Sequence, residues 1–162
     1  MKAIYTDGGV IAKNPSTIGG TWAWRRVEDG QIIAEASGVI PCNRHTRSIT
    51  NNMTELLAMV EALESLPSGW SGTVYSDSQM AIGWVFWGWR RTMAVPSLCD
   101  RADAAVKRLG ALEQVLLDGH PTKAQLISGI GKRGNPCSEH NVACDKACTT
   151  AATEYMMRQL PE

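Results

Sequence analysis

The chain predicts an α/β fold: a five-stranded mixed sheet, three antiparallel strands then two parallel ones, flanked by helices. Three observations predict it. Two β-prone alternating runs, Thr21–Val27 and Gln31–Ile40, are separated by Asp29-Gly30, a strong hairpin dipeptide. From Met53 the apolar period becomes that of a helix. Beyond it, short strand-like runs alternate with helical ones, and such connections imply parallel pairing.

Taken in order, residues 2–7 form the first strand, ending at Asp7-Gly8-Gly9, and Lys13-Asn14-Pro15-Ser16 reads as a turn. With the hairpin that follows, the chain opens as a meander. Met53, Leu56, Leu57, Val60, Leu63 and Leu66 mark the first helix, with Thr50, Asn51 or Asn52 as its cap and Pro67-Ser68-Gly69 as its stop. Thr73–Ser76 is a short strand, and Gln79 to about Trp89 a helix. Pro96 opens another helix, whose apolar spacing continues through Leu109, Leu112 and Leu116 to Gly119. The last strand is then expected at Ala124–Ser128, followed by a Gly-rich basic loop to Pro136 and a final helix from Asn141 to about Arg158.

The 162 residues suit one domain with its own core, so residues 1–162 are expected to be a single unit acting as a monomer. The hydrophobic fraction of 44 % and charged fraction of 20 % are those of an ordinary globular protein. No apolar run approaches the ~18 residues of a membrane span. Met1–Tyr5 enters strand-like sequence directly, with no signal peptide in view. Five cysteines without a scaffold density read as reduced thiols, so a cytoplasmic location is expected. The net charge of zero argues mildly against a nucleic-acid binder unless positive charge is local.

Four acids stand out. Asp7 and Asp77 end strands that read alike, Tyr5-Thr6-Asp7 and Tyr75-Ser76-Asp77. If these strands are parallel neighbours, both carboxylates lie at the same end of the sheet, where α/β proteins collect their sites. Glu55 and Asp145 fall in the first turns of helices, each bordering an apolar stripe. Clustered carboxylates suit hard divalent cations. Each acid also has a plainer reading. Asp7 could shape a turn, Glu55 complete a capping box with Asn52, Asp77 cap the next helix, and Asp145 face a helix dipole.

Four motifs in order carry a resemblance over nearly the whole chain: Tyr5-Thr6-Asp7-Gly8-Gly9 with Asn14-Pro15, Thr50-Asn51-Asn52-Met53-Thr54-Glu55-Leu56, Tyr75-Ser76-Asp77-Ser78-Gln79, and Asn141-Val142-Ala143-Cys144-Asp145. Together they resemble the type 1 ribonuclease H family. The resemblance implies a ribonuclease H-like fold and endonucleolytic hydrolysis of the RNA strand of RNA–DNA hybrids. It implies two Mg²⁺ ions, or Mn²⁺, bound by the catalytic carboxylates Asp7, Glu55, Asp77 and Asp145. It places Asn14, Asn51, Asn52 and Gln79 at substrate contacts. Amide side chains there can both donate to and accept from a 2′-hydroxyl. The rival readings are a DNA or structure-specific nuclease of the superfamily and a non-catalytic hybrid-binding module.

Two departures from the family pattern stand out. The family carries a histidine after the last strand, in a Gly-His context, thought to move protons or help product leave. With the last strand at 124–128, Ile130 stands in its place, and His140, Lys132 or Arg133 are the candidates to act instead. The family's long basic handle is replaced by Trp84-Val85-Phe86-Trp87-Gly88-Trp89-Arg90-Arg91, with Arg101, Lys107 and Arg108 beyond. Trp87 and Arg90 suit a groove for the DNA strand, while at least one of Trp84 and Trp87 should be core. A zinc site from Cys137, His140, Cys144 and Cys148 is the lesser reading, because Cys144 and Cys148 share the helix's apolar side.

Overall fold

Alternation and turn chemistry build the first half of the sheet. In the computed structural model, which describes residues 1–161, β1 (Lys2–Val10), β2 (Gly19–Glu28) and β3 (Gln31–Pro41) form the antiparallel meander. Asp29 and Gly30 both have positive φ (50° and 77°), as the expected hairpin turn requires. β4 (Gly72–Ser76) joins β1 in parallel and β5 (Leu112–Leu116) joins β4 in parallel, giving the order β3-β2-β1-β4-β5.

The period-2 pattern of β1 sorts two cores. Ile4 packs with Met59, Leu63 and Val74 on one face. Ala3 and Tyr5 pack with Ala23, Cys144 and Cys148 on the other. The first face is covered by α1 (Asn51–Ser65), capped by Thr50, whose hydroxyl accepts from Met53 N–H. The second is covered by α5 (Glu139–Arg158). Leu56, Leu57 and Val60 of α1 also pack against Leu98, Cys99 and Ala102 of α3 (Pro96–Arg108), which is why α1 is buried on more than one side. α2 (Gln79–Phe86) links β4 to that layer. Among the described residues, no helix is long and apolar enough to cross a membrane.

The expected fold class holds, but its fifth strand lies elsewhere. α3 stops at Arg108, Leu109 turns extended (φ −89°, ψ 167°), and Gly110 N–H bonds to Trp70 O at 2.8 Å. Leu112 and Leu116 then face one core while Val115 faces the other, as a strand demands. Their spacing imitates a helical stripe because a strand's i, i+4 pair also shares a face. Ala124–Ser128, expected as a strand, lies instead within a short helix, α4 (Lys123–Ser128). Thr122 and Gln125 form its capping box, and Gly129 closes it in a left-handed conformation. Smaller differences are that β1 runs on to Val10 and α2 ends at Phe86.

Candidate active site

Parallel register aligns the first two acids. Thr6 pairs with Ser76, so Asp7 and Asp77 stand side by side where the parallel pairing of β1 and β4 ends. Glu55 arrives from the first turns of α1, which lies close enough to β1 for Gly8 N–H to donate to Glu55 Oε1 at 2.6 Å. Asp7, Glu55 and Asp77 each bring a carboxylate oxygen to within 4.8 Å of the others. Asp145, near the start of α5, lines the same cleft but is half-exposed and stands outside that tight trio. The cleft is open, of about 490 Å³.

For Asp7, Glu55 and Asp77 the plainer readings fail on geometry. Asp7 continues a strand rather than shaping a turn. Thr50, not Asn52, caps α1, and Ser78, not Asp77, caps α2.

Burial and mutual repulsion dominate the electrostatics. Burial, then the charge of Asp77, push the Asp7 carboxyl up to about 9. Burial, then Asp7 and Asp77, push Glu55 well above the carboxylate range. Asp77 is also raised, chiefly by burial. Glu55 Oε2 is buried and has no hydrogen-bond partner. A buried acceptor left that way is costly, and three gathered carboxylates compound it. A hard cation bound through oxygen would answer both, so the donor set fits a divalent metal.

Of the other candidates, Asn51, Asn52, Gln79, Lys132 and Arg133 line the cleft. Asn14 does not, but its side chain accepts from Asn51 N–H at 3.0 Å and so holds the start of α1. Trp87 is exposed and tilts against Trp89 with ring centroids 5.7 Å apart, and Arg90 is exposed beside them. Trp84 is core. The basic residues further on are largely committed internally. Arg91 forms a bidentate pair with Asp103, Arg101 bonds Glu61 and Glu64, and Arg108 bonds the carbonyls of Leu63 and Leu66. Those three arginines are therefore not a free basic surface.

His140 is not in the cleft lining. Its Nδ1 lies 3.3 Å from Arg25 Nη1 and its ring packs 4.9 Å from Tyr5. Burial, with help from the Arg25 charge, lowers its pKa. The zinc reading fails with it. Cys144 and Cys148 are buried and donate to the carbonyls of Tyr5 and Asp7, and burial pushes the Cys144 thiol up to about 12.

The histidine that sequence reasoning missed is His120. It follows β5 in a Gly119-His120 dipeptide and lines the cleft, with Nδ1 3.7 Å from Asp145 Oδ2. The Gly-His signal follows β5, whereas a last strand at 124–128 points to Ile130 instead. Asp118, Ser78 and Asn135 also line the cleft without having been singled out.

Fold and site together define an α/β protein whose acidic centre stands at the ends of two parallel strands. The sequence model of RNase H matches residues 1–153, and the chain belongs to that family, whose members are metal-dependent. It is 29 % identical to the ribonuclease H of Lachnoclostridium phytofermentans over 163 aligned positions, covering 92 % of this chain and 90 % of that one. It is 36 % identical to the ribonuclease H of Ruegeria sp. over 116 positions, covering 64 % and 71 %. Among solved structures it resembles RNase H1 of Halobacterium salinarum (TM-score 0.67, 21 % identity, 94 % and 98 % covered). It also resembles LC11-RNase H1 in complex with an RNA/DNA hybrid (TM-score 0.68, 20 % identity, 96 % and 99 % covered).

Proposed function

We propose that this chain hydrolyses the RNA strand of RNA–DNA hybrids as an endonuclease, using two divalent ions, Mg²⁺ or Mn²⁺. The observation that carries the reading is the buried trio Asp7, Glu55 and Asp77 with the unpartnered Glu55 Oε2, in a chain of the RNase H family. Asp7, Glu55 and Asp77 would hold the ions, with Asp145 at the open side. Ions bound there would polarise the scissile phosphate and offset charge on the attacking and leaving oxygens.

The chain's own groups do the rest. Asn51, Asn52 and Gln79 face the cleft with side chains that both donate and accept, which suits reading a 2′-hydroxyl. Trp87 and Arg90 offer a stacking surface and a charge for the DNA strand. His120 is exposed beside Asp145, where it can take up or give a proton at its ring nitrogen. Replacing His120 with Ala should lower kcat about 10²-fold with KM little changed. Steady-state cleavage across a pH series checks this, and a pure KM effect would remove His120 from the chemistry.

Metal binding also relieves the repulsion among the carboxylates. Mg²⁺ at tenfold its dissociation constant should stabilise the fold by about 1.4 kcal/mol. At a fixed Mg²⁺ concentration the gain should be larger at pH 8 than at pH 6, since the ion displaces protons that Asp7 and Glu55 otherwise retain. Thermal unfolding with and without Mg²⁺ reads this, and no shift at either pH would count against the metal site. The direct test of function is cleavage of a hybrid labelled on the RNA strand. Duplex DNA is the control against a DNA nuclease, and binding without turnover is the mark of a non-catalytic module.

A further inference from the structure

Asp118 is a buried acid, 4 % exposed, that the metal trio does not use. Its carboxylate instead anchors a turn of the basic loop. Arg133 N–H donates to Oδ2 at 2.7 Å, Asn135 N–H to Oδ2 at 3.2 Å, and Asn135 Nδ2 to Oδ1 at 3.0 Å. The turn is closed on itself by Gly131 N–H to Asn135 O at 2.8 Å, and it returns to the sheet's end through Asp118 N–H to Pro136 O at 2.9 Å. A Cβ on Gly131 would come within 2.3 Å of Asp118 Cβ, so the packing of turn on acid is close. Burial would raise the Asp118 carboxyl. The bonds from Asn135 and the Arg133 backbone, with the Arg133 charge, outweigh that and hold it below the usual range.

The consequence lies at the turn's tip. Lys132 and Arg133 are exposed, and among the described residues they are the only lysine and arginine lining the acidic cleft. With Arg91, Arg101 and Arg108 committed to internal partners, the positive charge in the cleft lining comes from this turn. An unanchored five-residue turn would scatter these two long side chains, and ordering them on binding would carry an entropic cost.

We propose that the Gly131–Asn135 turn is a phosphate clamp for the polynucleotide backbone, with Lys132 and Arg133 as its contacts and Asp118 as the residue that positions it. The inference rests on the nucleic-acid reading above.

The test uses the Asp7→Asn variant, so that substrate binds without turnover. Its affinity for a hybrid duplex is measured over a salt series. Charge alone predicts that Asp118→Ala, which removes a negative group beside a polyanion's site, tightens binding. The clamp predicts the opposite: about tenfold weaker binding, and a slope of log K against log salt shallower by up to about 1.8 for two lost phosphate contacts. Asp118→Asn should remain near the parent, because a flipped Asn135 amide can still pair with it. Lys132→Gln/Arg133→Gln should reproduce the loss, and adding Asp118→Ala to it should change little further.

Unchanged or tighter binding by Asp118→Ala, with its melting temperature intact, would overturn the proposal. If Asp118→Ala does not fold, the exposed-residue double variant decides alone, and an unchanged salt slope there overturns the clamp. A parent variant that binds no hybrid at all would sink the functional reading and the clamp together. Hybrid binding with an unaltered slope sinks only the clamp.

Discussion

Asp7→Asn is expected to lose RNA-strand cleavage by more than about 10³-fold and, without metal, to be more stable than the wild type at high pH. In the folded chain the Asp7 pKa is raised from the ordinary 3.8 to about 9, chiefly by burial and then by Asp77. Below about pH 4 both folded and unfolded chains hold the proton, and its contribution to stability is fully present. As pH rises toward 9 the unfolded chain releases the proton first, so the metal-free fold loses stability through that window. Asn carries no such proton and escapes the loss. The variant's advantage should therefore be near zero at pH 4 and grow to about 2 kcal/mol by pH 9, or roughly 4–8 °C in melting temperature. Thermal unfolding in chelator at several pH values reads the effect. A variant that is less stable than wild type at pH 9 would show that the carboxylates do not repel one another as described.

The second large effect is Gly8→Ala. A Cβ at Gly8 would lie 2.4 Å from Thr54 C, 2.5 Å from Thr54 O and 2.6 Å from Glu55 N. These are backbone atoms of α1, so no rotamer change relieves them. The helix must move off β1, and the Gly8 N–H bond to Glu55 Oε1 is then stretched or lost. Overpacking with loss of this part-buried hydrogen bond should cost about 3 kcal/mol or more. It should also abolish metal binding, because Glu55 moves with the helix. The urea midpoint and a metal titration check the two parts. A variant with an unchanged midpoint would mean that α1 does not sit where Glu55 must reach the trio.

The acids were legible because each sits in a local motif whose position implies a direction. Tyr5-Thr6-Asp7 and Tyr75-Ser76-Asp77 look alike, and strand pairing then places them together. The amides Asn51, Asn52 and Gln79 were named only through the family resemblance, and they line the cleft as first residues of helices that start at the sheet's end. β5 was not legible. Its pairing with β4 is non-local, and Leu109, Leu112 and Leu116 extend the periodicity of α3 across the break at Gly110. With β5 ending at Leu116, the Gly-His dipeptide after the last strand is Gly119-His120, ten residues before Ile130. The anchoring by Asp118 was also invisible, since it joins residues 15 and 17 positions apart through a turn that no motif announces. Spacing could not divide Trp84 from Trp87 either, as their separation depends on where α2 ends.

The carboxylate trio, with metal, should cut RNA when it is paired with DNA. A hybrid labelled on the RNA strand, incubated with the wild-type protein and Mg²⁺, tests it most directly, beside RNA duplex and DNA duplex of the same sequence. Internal cuts are expected in the RNA strand of the hybrid alone, lost in chelator and lost with Asp7→Asn. An intact hybrid under Mg²⁺ and Mn²⁺, or equal cutting of the DNA duplex, would contradict it.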